Sequence, residues 1–283
     1  MGGIFMLKVW IVGSESQVGK AIATVLDTTE LKILCTDQEE LDITNTEDVL
    51  SYGEIQRPDI IINCAAVTDT ALCEANPELA YRVNALGARN LSLVARKHNA
   101  KIVQLSTDDV FDGKKDAPYT EFDDTHPLTV YGRSKRAGEN YVKEFTHKHF
   151  IIRSNWVYGE GGKNFVNALL EKAETETEIT IPADQYGSPT SAMDLARIIL
   201  HLIDTNEYGT YHATCKGSCS RFEFAQEILK LAEKSVVLKP TSSAEVSSVR
   251  PAYAVLDNFI LRIIDVYEMP TWQKSLREYL KGW

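Results

Sequence analysis

Five short apolar runs, each followed by a stretch with helical periodicity, constrain this chain more than any other feature. Leu7–Val12, Leu31–Thr36, Pro58–Asn63, Lys101–Ser106 and Phe150–Arg153 are four to six residues long. They are too short for helices and too continuously apolar for strands with a wet face. Between them, helices are predicted over Gln17–Leu26, over Thr44–Glu54 with Thr44 or Asn45 as cap, over Pro77–His98, and over a segment carrying Tyr131 and Lys135 that runs to about Lys148. Alternation of this kind predicts an α/β fold with a parallel sheet covered on both faces. Right-handed crossovers then wind it doubly, as in a Rossmann domain, and ligands sit at the carboxyl ends of the strands. Those ends are Gly13, Asp37, Asn63–Thr68, Ser106–Asp109 and Ser154–Trp156.

After Trp156 the pattern loosens. Helices are predicted over Asn164–Thr175, Met193–Asp204, Arg221–Glu233 and Gln273–Leu280, with short strands at Ile179–Ile181 and Gly209–Ala213. We expect a dinucleotide-binding domain over 1–156 and a smaller substrate-binding lobe over 157–283, interleaved with late elements of the sheet. A chain of 283 residues, 44% hydrophobic, supports cores of that size. The net charge of −10 comes without a basic stripe, so no nucleic-acid partner is expected. No apolar run is long enough to span a membrane, and Met1–Met6 is too short and not basic enough for a signal peptide. Five cysteines in no framework spacing predict reduced thiols and a cytoplasmic protein. Cys215 and Cys219 have no further Cys or His to complete a zinc set, so no metal is expected.

The strand ends carry chemistry. Gly13-Ser14-Glu15-Ser16-Gln17-Val18-Gly19 joins the first strand to the first helix. Small residues there let a backbone approach a pyrophosphate, with helix amides as donors. Ser16 stands where the usual fingerprint has its middle glycine. It keeps the turn small and brings a hydroxyl toward phosphate. Asp37 ends the second strand, placed to accept from a ribose hydroxyl and to repel a 2′-phosphate. Asp42 and Ile43 follow, near an adenine. Cys64, Ala65, Ala66, Val67 and Thr68 end the third strand with mostly small side chains, over which a cofactor can lie. Thr107 and Asp108 end the fourth, where a hydroxyl can steady a developing alkoxide. Tyr131 and Lys135 are four residues apart, hence on one helix face. A cation beside a phenol favours the phenolate and draws its pKa down from about 10. Each feature alone also has a plain reading: a solvated helix face, a strand-to-helix turn, tight packing, a loop hydroxyl.

Together they resemble the extended short-chain dehydrogenases/reductases, and within them the dTDP-4-dehydrorhamnose reductase family. The resemblance covers nearly the whole chain. It rests on Ser106-Thr107-Asp108 with Val110-Phe111-Asp112-Gly113, Pro127-Leu128-Thr129-Val130-Tyr131-Gly132-Arg133-Ser134-Lys135, Gly138-Glu139, Arg153-Ser154-Asn155-Trp156-Val157-Tyr158, Asn164-Phe165, Asp184-Gln185-Tyr186-Gly187-Ser188-Pro189-Thr190 and Arg250-Pro251. It implies reduction of the C4 keto group of a nucleotide-linked 4-dehydro-6-deoxy sugar by NADPH or NADH. By the same resemblance Tyr131 is the general acid, Lys135 its partner on the nicotinamide ribose, and Thr107 the hydroxyl that holds the reacting oxygen. Ser16, Gln17 and Val18 fall beside the pyrophosphate, between Gly13 and Gly19. Asp37 falls on the adenosine ribose, Asp42 and Ile43 at the adenine, and Ala66, Val67 and Thr68 beside the cofactor. Trp156 falls at the sugar, and Asn164, Gln185 and Arg250 at the nucleotide part of the substrate. The resemblance is compatible with a homodimer. The chain departs from the family's pattern at Asp109, usually a tyrosine, and at Ala71, usually acidic. Two rivals share the scaffold. One is a nucleotide-sugar epimerase or dehydratase, to which Asp108-Asp109 lends some support. The other is a non-catalytic NADP-binding regulatory subunit of methionine adenosyltransferase, against which the intact Thr107, Tyr131 and Lys135 argue.

Overall fold

The computed structural model describes residues 6–245 and 250–282. The first half comprises β1 (Lys8–Val12), α1 (Gln17–Leu26), β2 (Lys32–Thr36), α2 (Thr46–Gln56), β3 (Ile60–Asn63), α3 (Thr70–Ala75), α4 (Pro77–Tyr81), α5 (Ala88–His98), β4 (Lys101–Thr107), α6 (Val130–Phe145) and β5 (His149–Ser154). The second half comprises β6 (Val157–Tyr158), α7 (Phe165–Ala173), β7 (Glu178–Pro182), β8 (Tyr186–Gly187), β9 (Thr190–Ser191), α8 (Ala192–Ile203), β10 (Gly209–His212), β11 (Cys219–Ser220), α9 (Arg221–Leu231), β12 (Val237–Thr241), α10 (Phe259–Ile264) and α11 (Trp272–Leu280).

Alternation along the strands decides the architecture. Val9, Ile11, Ile60, Ile62, Val103, Phe150 and Ile152 point to one core, with helices α1, α8 and α9. Trp10, Val12, Ile61, Ile102 and Ile151, the residues between them, point to a second core with α2 and α5. Both faces of the sheet are therefore dry, which is why the strands read as continuous apolar runs. The sheet is six-stranded, in the order β10-β5-β4-β3-β1-β2. Every pairing in it is parallel. The chain starts at β1, steps out to β2, then crosses to β3 on the other side. That reversal opens a crevice above the carboxyl ends of β1 and β3.

Residues beyond 156 complete this sheet, since β10 pairs with β5 and α8 packs on the same core as α1. The remaining strands form two-stranded ladders, β6 with β9, β7 with β12 and β8 with β11. Among the described residues no helix is long and apolar enough to cross a membrane.

The helix expected over Pro77–His98 is divided. Arg82–Gly87, between α4 and α5, forms a π turn, and α3 precedes α4 where a loop was expected. The π turn directs Asn84 inward, where it is 2% exposed. Its amide binds the loop after β3 in both directions: Val67 N–H donates to Oδ1 at 2.8 Å, and Nδ2 donates to Val67 O at 3.0 Å. The same Nδ2 donates to Ser134 Oγ of α6 at 2.9 Å. Such turns recur at functional sites because they re-aim one side chain out of helical register. Of the two residues expected to cap α2, Asn45 does so, its Oδ1 accepting from Glu47 and Asp48 N–H.

Candidate active site

The crevice at the β1/β3 reversal extends into a cleft of about 630 Å³ between the sheet and the elements after Trp156. Its floor begins at the glycine turn. Gly13 has φ +74°, and a Cβ there would lie 2.6 Å from Ala65 N, so the turn and the loop after β3 touch through backbone alone. Gly19 is equally confined, since its Cβ would lie 2.4 Å from Gly13 O. Ser16 caps α1: its Oγ accepts from Gly19 N at 3.1 Å and donates to Gly13 O at 2.7 Å. The hydroxyl expected to reach phosphate is thus engaged by the cap. The first amides of α1, on Gln17 and Val18, have no intrahelical acceptor and border the cleft. These features fit a dinucleotide: two confined glycines and free helix amides.

The far wall is built from β4 and α6. Thr129 caps α6, its Oγ1 accepting from Gly132 N at 3.0 Å. One turn inside, Tyr131 and Lys135 both face the cleft. Gly132 lets α6 press on the turn after β4, where a Cβ would lie 2.1 Å from Asp109 O. In that turn Thr107 Oγ1 donates to Asp108 Oδ1 at 3.0 Å and accepts from Asp109 N at 3.2 Å. Asp108 Oδ2 accepts from Asn155 Nδ2 at 2.8 Å. Behind α6, Glu139 is fully buried and accepts from Arg153 Nε and Nη2, both at 2.8 Å, and from Ser106 Oγ at 2.6 Å. This closed network links α6 to β4 and β5, and so fixes the angle at which Tyr131 and Lys135 enter the cleft.

The expectation that Lys135 draws the Tyr131 phenol toward neutrality needs correction. Burial raises the phenol's pKa, and the charge of Asp109 raises it further, outweighing the Thr107 hydrogen bond and Arg250. The phenol therefore holds its proton throughout the neutral range. The shifted member of the pair is Lys135, brought down to about 8 by burial, with Glu139 and Cys64 pulling the other way. Asp108 is pushed up to about 8 by burial and by neighbouring Asp109. Asp109 is raised by burial, against the pull of Arg250 and Arg221. Asp109 does not present a carboxylate to the cleft. It is 2% exposed, its Oδ2 lacks a hydrogen bond and lies 3.9 Å from Arg250 Nη1.

Ser16, Gln17, Val18, Ala66, Thr68, Thr107, Asp108, Tyr131, Lys135, Trp156, Gln185 and Arg250 all line the cleft. Others sit apart. Asp37 Oδ2 accepts from Glu15 N at 2.8 Å and Oδ1 from Gln38 N at 2.8 Å. Asp42 closes a turn onto Thr44 N. The Ile43 side chain enters the second core against Gly87. Val67 is held by Asn84. Asn164 caps α7 and donates to Gln17 Oε1 at 3.1 Å and Gly159 O at 3.0 Å, tying the two halves of the molecule at the cleft's rim. Trp156 has φ +44°, a left-handed conformation unusual for a bulky residue. One face of its ring is covered by the Arg221 guanidinium, 3.5 Å from the centroid, and its benzo edge lies against Gly187. Arg221 lines the cleft and was not expected from the sequence, where it reads only as the first residue of a helix. Among the described residues no cluster of His, Cys, Asp and Glu is arranged to hold a metal.

The family model described as RmlD substrate binding domain matches residues 7–283. The chain is 36% identical to the spore coat polysaccharide biosynthesis protein SpsK of Bacillus subtilis, over 98% of each chain. It is 34% identical to the dTDP-4-dehydrorhamnose reductase of Aggregatibacter actinomycetemcomitans, over 96% of this chain and 98% of that one. Among solved structures, the dTDP-4-dehydrorhamnose reductase of Bacillus anthracis in complex with NADP superimposes with a TM-score of 0.96 at 40% identity, covering 99% of this chain and 100% of that one. A UDP-glucose 4-epimerase of Thermus thermophilus in complex with NAD, at 18% identity and TM-score 0.84, shares the fold.

Proposed function

We propose, from the premise that this chain belongs to the RmlD substrate-binding-domain family, that it reduces the C4 keto group of dTDP-4-dehydro-L-rhamnose with NADPH or NADH. The observation that carries this is one cleft that joins the Gly13–Gly19 turn to Thr107, Tyr131 and Lys135. The first part suits a dinucleotide and the second suits proton delivery to a carbonyl oxygen.

Gln17 and Val18 amides would hold the cofactor's pyrophosphate at the start of α1, and Asp37, outside the cleft lining with its carboxylate already accepting from Glu15 N and Gln38 N, would meet the adenosine ribose through its remaining lone pairs. When bound, the nicotinamide supplies the hydride. Thr107 Oγ1 and the Tyr131 phenol, which both line the cleft, together receive the sugar's O4. Because burial keeps the phenol protonated, Tyr131 meets the substrate as an acid and gives its proton as charge gathers on O4. Lys135, cationic below about pH 8, stabilises the phenolate left behind. Asp108, which accepts from Thr107 and Asn155, holds the threonine hydroxyl at the cleft wall until O4 takes over its hydrogen bond. General acid catalysis of this kind is worth about 10²–10⁴-fold. Trp156, Gln185 and Arg250 line the part of the cleft assigned to the sugar nucleotide.

The lobes divide near Trp156, with substrate groups drawn mainly from 157–283. All five cysteines are unpaired, in keeping with a reducing cytoplasm. Leu72, Tyr81 and Leu86 are exposed along the α3–α5 stretch, which suits pairing with a second copy. The test of the reaction is to offer dTDP-4-dehydro-L-rhamnose with each reduced cofactor and follow absorbance. Stoichiometric loss is expected. Conversion of the sugar with no net cofactor oxidation would favour an epimerase or dehydratase instead.

A further inference from the structure

The clearest unexplained group in the cleft is Arg221. It opens α9, where Ser220 and Glu223 form a reciprocal cap and its own N–H donates to Gln185 O at 2.9 Å. Its backbone is therefore fixed at the cleft wall. Its guanidinium lies 3.5 Å from the Trp156 ring centroid and 4.7 Å from that of Phe165. Two aromatic rings hold it, yet no carboxylate among the described residues reaches salt-bridge distance of it. A second arginine lining the cleft, Arg250, has among the described residues one distant ion-pair partner, Asp109 at 3.9 Å. The two arginines repel one another: after burial, Arg250 is the largest influence bringing Arg221 down to about 9. Gln185 lines the same cleft, buried, with Nε2 lacking a hydrogen-bond partner among the described residues. Two guanidinium groups and an amide donor line one cleft whose nearby carboxylates, Asp108 and Asp109, are buried and shifted by that burial toward their neutral forms.

We infer that Arg221 is a substrate-binding residue that, with Arg250, clamps the diphosphate of the nucleotide sugar. The inference rests on the reading of the cleft as a nucleotide-sugar site. A diphosphate has the charge to satisfy both cations and the oxygens to accept from both forks. Stacking on Trp156 and Phe165 pre-orients the Arg221 fork, so less freedom is lost on binding. Asp109 serves as a buried brace that keeps Arg250 on this wall.

The test titrates the full chain, loaded with NADPH, with dTDP and separately with thymidine, in wild type, Arg221→Gln and Arg221→Lys. Losing a charged hydrogen-bonding partner should weaken dTDP about 10–100-fold in Arg221→Gln. Arg221→Lys, which keeps the charge and loses the fork, should fall between that variant and wild type. Thymidine and NADPH affinities should stay within about twofold, since neither meets the fork. Unchanged dTDP affinity in both variants would overturn the inference. So would equal weakening of dTDP and thymidine, because that pattern means Arg221 only props Trp156. If Arg221→Gln fails to fold, the lysine variant decides on the same two ligands. Failure of wild type to bind dTDP at all would instead overturn the nucleotide-sugar reading beneath it.

Discussion

At the scale of single residues, the site separates two jobs that the sequence suggested were one. The spacing of Tyr131 and Lys135 reads as a cation activating a phenol. In the structure the phenol is held above its usual range, and Lys135 carries the downward shift, to about 8. A lysine with a lowered pKa is charged below that value and loses its proton as pH rises through it. We therefore expect kcat/KM to be flat below about pH 8 and to fall above it. In Lys135→Met the overall rate should drop and that alkaline limb should vanish; a limb that persists unchanged would assign it to another group. Tyr131, Lys135 and Thr107 were legible because their partners are near in sequence or fall at strand ends. Arg221 was not, because its significance lies in rings at Trp156 and Phe165, more than fifty residues away.

At the scale of elements, the glycine turn, α6 and the π turn at Arg82–Gly87 hold the cleft in shape. Asn84 on that turn joins the loop after β3 to α6. Replacing it with Leu leaves buried donors and acceptors unmet, at about 1–3 kcal/mol each. Asn84→Leu should lower the melting temperature and reduce kcat/KM together; a stable variant with full activity would remove this clamp from the account. Gly132→Ala places a methyl 2.1 Å from Asp109 O, a backbone atom that cannot rotate away. It should move α6 off the Thr107 turn and lower kcat, measured beside an unaltered circular dichroism spectrum. The π turn was invisible in the sequence. Arg82-Val83-Asn84-Ala85-Leu86-Gly87 contains no proline, and its one glycine falls at the end, so the apolar periodicity runs through it. What re-aims Asn84 is tertiary, namely Gly138 of α6, whose missing side chain admits Asn84 O; a Cβ there would lie 2.3 Å from it.

At the scale of the whole molecule, stability comes from a sheet buried on both faces, and five continuously apolar strands alternating with helices were enough to foresee it. Ile61 is fully buried in the central region of that sheet, and Ile61→Ala should cost about 2–5 kcal/mol in denaturant titration. The part of the fold least legible was the second half, where β8, β9 and β11 are two residues each, too short for any period to register. One buried titratable group there contributes to the loss of stability in acid. His212 is fully buried and lowered to about 3 by burial and by Arg153. Its unfolded form takes up a proton near 6.5 and its folded form does not. Stability present above pH 6.5 should therefore decline as pH falls toward 3, and His212→Asn should flatten that slope. What the assembled cleft must do is bring a cofactor turn and a protonated phenol together over one carbonyl. That is tested most directly by a single turnover with NADPH deuterated at the transferable C4 position and dTDP-4-dehydro-L-rhamnose, in wild type and in Tyr131→Phe. Deuterium should appear at C4 of the product sugar in wild type, and transfer should be about 10²–10⁴-fold slower in the variant, with NADPH affinity retained. Deuterium left on the cofactor in wild type, or transfer at the wild-type rate in Tyr131→Phe, would contradict this.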